Sequence, residues 1–317
     1  MGNHTTRRDF LAVSATLAAA SGALLPPEAG AAPSPPVGPI KVLVWDERQP
    51  AQRTAYTDFL GNQIAGHLRS EPGLSVESVG LDDPGRGLSP GTLGEARVLV
   101  WWGHVRNKEI EPEVGRAIVD RIKAGTLGLI ALHSAHWSTP FVEAMNERAR
   151  SDALKAWGLG GDKVEIREIP PPQRYTTPKP DARVTPCSTA RKLPVGVTQV
   201  DLHLPICCFP AYEHHGKPSF HKVLKPDHPI AQGIPRHFEL PETEMYDEPF
   251  HVPEPDDVIF EERWTPGQWF RSGMTWSVGR GQVFFYRPGH ETYPVYKQSI
   301  PLKIVANAVR WVAPKPT

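Results

Sequence analysis

The chain has 317 residues, a formal net charge of zero and 39% hydrophobic residues, the composition of one large or two modest folded domains. With no charge excess of either sign, nothing in it points to nucleic acid or to attraction by a charged membrane surface. What stands out is the set of 35 prolines, 9 tryptophans and 13 histidines: indole faces suit sugar stacking as well as core packing, and imidazole is both a near-neutral acid/base and a metal ligand.

Thr5-Thr6-Arg7-Arg8-Asp9-Phe10-Leu11 reads as a twin-arginine leader, followed by a weakly hydrophobic run from Leu11 to Leu25 and a small-residue cleavage site at Ala29-Gly30-Ala31. The run is too short and alanine-rich for a membrane span, which needs roughly 18 to 20 strongly apolar residues. Residues 1–32 are therefore expected to be a signal peptide for export to the periplasm or beyond, and 33–39 a proline-containing linker.

From Ile40 the pattern becomes that of a wound α/β domain covering 40–313. Ile40 to Trp45 reads as a buried strand that delivers Asp46 and Glu47 at its carboxyl end. Apolar residues at helical spacing between Ala51 and Leu68 predict a helix, and Leu74 to Val79 a second strand. A loop over Leu81 to Glu95 leads to a third strand, Ala96 to Trp102, which carries Gly103-His104 to the same edge. Pro112 to Ala124 is the next helix. Leu129 to Leu132 is a short unbroken apolar run, the signature of a mid-sheet parallel strand. It stops at His133-Ser134-Ala135-His136, a strand-to-helix corner, with amphipathic sequence from Phe141 to Ala153. In open α/β sheets ligands sit beyond the carboxyl ends of the strands, so chemistry is expected at this corner.

Prolines break the pattern from about 158 to 226, which reads as an irregular insertion or lid with short strands around Lys163 to Ile166 and Val197 to Leu204, ending in Tyr212-Glu213-His214-His215. Asp227 to Ile230 begins a helical turn. Val258 to Phe260, Phe270 to Val278 and Gln282 to Tyr286 read as strands, the last two a hairpin through Gly279-Arg280-Gly281, and Ile300 to Val312 as the closing helix. Cys187, Cys207 and Cys208 are odd in number. A bridge from Cys187 to one of the pair, or a metal set including His203, stays open, although the spacing follows no zinc pattern.

Six ordered segments resemble the ThuA-like (trehalose utilisation) family: Val44 to Glu47, Val98 to His104, Gly128 to His136, Glu244 to Glu248, Phe270 to Gly273 and Phe285 to Tyr293. The resemblance implies a doubly wound, mostly parallel sheet of the flavodoxin-like, class I glutamine amidotransferase-like kind. In amidotransferases a Cys sits at the nucleophile elbow. Here His133 stands at that corner, so glutamine hydrolysis is not expected. His290-Glu291 falls near the amidotransferase His and Glu.

Single histidines are most often structural. The sharper expectation is that imidazoles at the strand ends converge, with His133, His136, Tyr246, His290 and Glu291 catalytic. Glu47, Trp102, Arg271 and Arg287 are expected to hold substrate. His104, His133, His290 and Glu248 are the candidate ligands of a divalent metal such as zinc. A metal-free alternative uses a histidine base with Tyr246 or a second histidine as acid. The resemblance further implies a carbohydrate substrate, through trehalose catabolism and its 3-keto derivatives, and allows a sugar dehydrogenase in the same pathway; a homo-oligomer stays open. An isomerase, lyase or hydrolase acting on (keto)glycosides is expected, and a non-catalytic carbohydrate-binding protein on the same fold is the alternative.

Overall fold

The structure, a computed structural model, describes residues 38–158, 163–194 and 196–315. The expected leader and nearly all of the linker lie outside them. The domain opens with β1 (Ile40–Asp46), α1 (Leu60–Ser70), β2 (Leu74–Gly80), the short α2 (Pro90–Glu95), β3 (Val98–Trp102), α3 (Pro112–Lys123), β4 (Gly128–Leu132) and α4 (Thr139–Trp157). Strands then dominate: β5 (Lys163–Ile169), β6 (Cys187–Leu193), β7 (Val197–His203), β8 (Ala211–Val223), β9 (His237–Asp247), β10 (Asp257–Arg263), β11 (Trp269–Val278) and β12 (Gly281–Tyr286), before α5 (Ser299–Val312) ends the chain.

Nine strands form one sheet in the order β2-β1-β3-β4-β12-β11-β10-β8-β9. The first five run parallel, and β11, β10, β8 and β9 continue it antiparallel. Alternation along each parallel strand sends side chains to two cores. Leu43, Leu99 and Leu129 meet α3 and α4 on one face, whereas Val42, Val100 and Ile130 meet α1 and α5 on the other. With helices on both faces the central strands are wholly buried, which explains their unbroken apolar sequence.

Two elements differ from the expected course. The helix expected from Ala51 is a 3₁₀ turn at Pro50–Thr54 followed by α1, because side chains from elsewhere fill the start of α1: Gly61 N–H donates to Asp46 Oδ2 (2.7 Å) and Leu60 N–H to Gln52 Oε1 (2.7 Å). The loop before β3 contains α2, capped by the Ser89 hydroxyl.

The insertion has long irregular connections, and the strands expected near Lys163 and Val197 are β5 and β7. β5, β7 and β6 form a three-stranded sheet of their own, packed through Val200, Leu202 and Leu204 on Ala149 and Ala153 of α4, and β8, thirteen residues long, belongs to the main sheet. Pro170, Pro186, Pro194, Pro205 and Pro210 flank these strands without interrupting them. All three cysteines are free thiols, Cys207 and Cys208 buried, so the bridge from Cys187 is not formed. No described helix is long and apolar enough to cross a membrane.

β4 packs so closely on the end of α5 that a Cβ at Gly128 would lie 2.2 Å from the Val312 carbonyl oxygen. Gly128→Ala is expected to destabilise the domain by about 1–3 kcal/mol, a fall of several degrees in a thermal melt, because backbone must shift. An unchanged melting temperature would contradict this packing.

Candidate functional site

The parallel strands end level. Asp46 pairs with Trp102, Trp102 with Leu132, and Leu132 with Tyr286, so the residues after β1, β3, β4 and β12 emerge along one edge. His104, His133 and His290 meet there with ring centroids 5.4–6.0 Å apart. The shared rim expected from the sequence is therefore real geometry. β9 adds Glu244 and Tyr246 from the antiparallel half.

His133 is the corner residue itself, with φ +52°, a left-handed conformation rarely adopted by a residue with a side chain and characteristic of strained functional corners. Its Nδ1–H donates to the Arg287 carbonyl (2.9 Å), which leaves Nε2 facing Glu244 Oε2 at 3.1 Å. Glu244 Oε2 is buried and makes no well-aligned hydrogen bond. At that distance the two atoms can share a proton, as an imidazolium–carboxylate pair, or face a common cation. Donors each about 2.1 Å from a shared ion lie roughly 3.0–3.4 Å apart, so the spacing suits a metal. Among the described residues, two sets of ligand atoms lie within 4.8 Å of one another: His133, Glu244 and His290, and His104, His290 and Glu291. The first has the orphaned oxygen. In the second, Glu291 is already engaged by His104 Nδ1, at 2.9 and 3.0 Å.

Electrostatics agree. Burial alone would raise the Glu244 carboxyl, but His133, His290 and His104 beside it hold it down at about 2. Glu291 is likewise held at about 2, burial being outweighed by His104 and His290. Burial, reinforced by His133, takes His290 down to about 3, so its imidazole is neutral near neutral pH. Burial would lower His104 too, but hydrogen bonding and charge from Glu291 raise it overall. Burial pushes the Tyr246 phenol far above its ordinary range, so it stays a hydrogen-bond donor; its oxygen lies 3.2 Å from the Ser134 hydroxyl. A cavity opens onto His104, Ser134, His136, Glu244 and Tyr246.

Several expected site residues do other work. Glu47 is fully buried and accepts the backbone N–H groups of His104, Val105 and Arg106, so it shapes the loop that presents His104. Trp102 does not line the cleft. It is buried on the α1/α5 side with Nε1–H bonded to the Gly289 carbonyl (2.8 Å), while Trp101 stacks on Trp45 at 3.9 Å on the other face. Arg287 is fully buried; its guanidinium pairs with Glu262 and donates to the Glu244 carbonyl (2.6 Å). Glu248 and Arg271 pair with each other at 2.9 Å, which takes Glu248 out of the ligand set. His136 lines the cavity but is tied through Nδ1–H to the Cys207 carbonyl (2.6 Å) and held neutral by burial, down to about 3.

Glu244 is the carboxylate that the sequence reading passed over. The signal was present: in an alternating strand, Glu244 shares a face with Tyr246. His214, at the end of the insertion, has its ring centroid 4.3 Å from that of His290 and adds an imidazole at the exposed rim.

A family model described as ThuA, trehalose utilisation, matches residues 41–312. The fold is similar to that of a ThuA-like protein from Bacteroides uniformis at 15% identity (TM-score 0.51, covering 89% of this chain and 95% of that one). It is also similar to a ThuA-like protein from Parabacteroides merdae at 13% identity (TM-score 0.54, covering 88% and 93%). Among curated proteins none matches the sequence.

Two outcomes are expected. Arg287→Met leaves the buried Glu262 with only His221 and Ser219 to answer its charge and should cost about 3–5 kcal/mol in chemical denaturation. Elemental analysis of protein purified without an affinity tag should find about one equivalent of divalent metal, lost in Glu244→Gln and kept in Glu248→Gln; the reverse pattern would return the ligand role to Glu248.

Proposed function

The chain belongs to the ThuA, or trehalose utilisation, family, and on that premise we propose that it is an exported sugar-processing enzyme acting on a glycoside, in particular a 3-keto disaccharide, by metal- and imidazole-assisted acid/base chemistry. The observation that carries this reading is the meeting of three imidazoles and two ionised carboxylates on the carboxyl edge of the sheet, beside a cavity onto which His104 and Glu244 open. His133, Glu244 and His290 would hold a divalent ion, zinc being the metal this donor set suits best. Bound there, the ion would polarise a carbonyl or hydroxyl oxygen of the substrate.

A ketosugar carries an acidic hydrogen beside its carbonyl. His104 is suited to remove it: its ring is partly exposed, it lines the cavity, and Glu291 orients it through Nδ1 while stabilising the protonated form. Tyr246, kept protonated by burial, offers a hydrogen bond to a substrate oxygen. Loss of the proton opens either isomerisation or elimination of the glycosidic bond. A dehydrogenase that oxidises the sugar ring would supply the substrate. The Arg7-Arg8 leader supports export, and that route carries folded, cofactor-loaded proteins, which suits a metal inserted beforehand.

The test is turnover of 3-ketotrehalose by wild type and His104→Gln. The variant is expected to lose about 10²–10⁴-fold in kcat while binding the sugar within a few-fold of wild type. Wild-type protein that binds the sugar and never converts it would instead be a carbohydrate-binding module.

A further inference from the structure

The catalytic reading leaves one polar side chain of the cavity without a task. Ser134, next to the left-handed His133, lines the cavity beside His104, Glu244 and Tyr246. Its hydroxyl oxygen lies 3.2 Å from the Tyr246 phenol oxygen, which among the described residues is its one hydrogen-bond partner.

The surroundings of the two oxygens decide which of them donates. The Tyr246 ring is stacked on Phe209 at 4.0 Å and on His133 at 5.3 Å, with Phe270 at its edge, and the residue is 2% exposed. Its oxygen is 3.4 Å from both ring nitrogens of His133, a point on the lone-pair axis of neither, and Nδ1 of that ring is already bonded to the Arg287 carbonyl. Ser134 Oγ is therefore the acceptor within reach of the phenol proton. A buried phenol proton with no acceptor would carry the full penalty of its lost hydration, whereas a serine hydroxyl on a cavity wall can turn to water or ligand. Tyr246 thus donates to Ser134, and the Ser134 proton turns to the cavity. A hydroxyl that accepts one hydrogen bond is the stronger donor of the next.

We propose that Ser134 is a catalytic residue of this site: its hydroxyl donates to the substrate oxygen that turns negative during the reaction, and Tyr246 acts from behind it as a positioning residue. The proposal rests on the acid/base reading of the cavity and adds a donor for the charge which that chemistry creates. When His104 takes the hydrogen beside the ketone, the C–H electron pair forms a carbon–carbon double bond and the carbonyl pair moves onto oxygen, giving an enolate. Ser134 keeps its proton and stabilises that oxygen by hydrogen bonding. The hydrogen bond that Tyr246 offers reaches the substrate through Ser134.

A double-mutant cycle on turnover of 3-ketotrehalose tests the relay, with wild type, Ser134→Ala, Tyr246→Phe and the protein carrying both. Each change removes one oxygen and keeps the rest of the side chain. Ser134→Ala is expected to lower kcat about 10²-fold with KM within about threefold, because the hydrogen bond strengthens as charge develops. Tyr246→Phe should lower kcat about 3–10-fold in wild type, and by less than about twofold in the Ser134→Ala protein, where no hydroxyl remains to act through. A Tyr246→Phe loss that multiplies the Ser134→Ala loss would put the phenol directly on the substrate and overturn the relay, as would no loss in Tyr246→Phe alone. Wild-type kcat in Ser134→Ala, or a loss confined to KM, would overturn the catalytic role and leave Ser134 as cavity wall. In all of these cases wild type still converts the ketosugar and the acid/base reading stands; wild type that never converts it removes both.

Discussion

The buried guanidinium of Arg287 is the joint on which the site depends. It leaves β12 at the last parallel position of the sheet, pairs with Glu262 of β10 and donates to the Glu244 carbonyl of β9, while its own carbonyl receives the His133 Nδ1–H. Tyr246 and Trp264 lie over the same charge, at 5.5 and 5.1 Å. One side chain thus locks the antiparallel half of the sheet to the corner after β4. A charge so deeply buried tolerates no loosening of its partners, because an unpaired charge in that interior is far costlier than a strained backbone. The left-handed His133 is held in place by this network.

Within the site, burial and charge oppose each other. Burial favours neutral groups, which suits His290 and His136 and disfavours Glu244 and Glu291. The carboxylates are ionised because imidazoles surround them. His104 answers Glu291 directly, at hydrogen-bond distance. Glu244 Oε2 instead faces His133 Nε2 at 3.1 Å, a spacing that suits a shared proton or a shared ion. This asymmetry separates a candidate ion-holding set from a candidate proton-handling pair within a few ångströms, although both are made of the same two residue types.

The inserted sheet gives the edge its depth. Docked on α4, it places the 170–177 segment opposite Trp137 and walls the cavity at the strand tips. Its prolines serve this purpose. Placed at strand ends, they stiffen the connections without removing ladder hydrogen bonds. The same residues made the stretch look irregular in sequence, because a proline count does not distinguish a broken strand from a bounded one.

Local pattern determined the parallel half of the fold. Apolar runs with polar tips at Trp45-Asp46, Trp102-Gly103-His104 and Leu132-His133 are legible because a central strand must be apolar on both faces and turns polar only where it leaves the sheet. That is enough to put His104 and His133 on one rim, whereas His290 joins them because β12 runs parallel to β4. Tertiary structure decided which neighbours they have. Whether Glu244 or Glu248 meets His133, whether Glu47 faces ligand or caps a loop, and whether Arg287 binds substrate or Glu262 all depend on how β9 and β10 return to the parallel strands. Those returns span tens of residues and are set by packing and charge pairing, to which no short stretch of sequence is sensitive. Trp102 makes the same point at close range: alternation sent it to the face opposite Trp101, but only the helices covering both faces made that face a core.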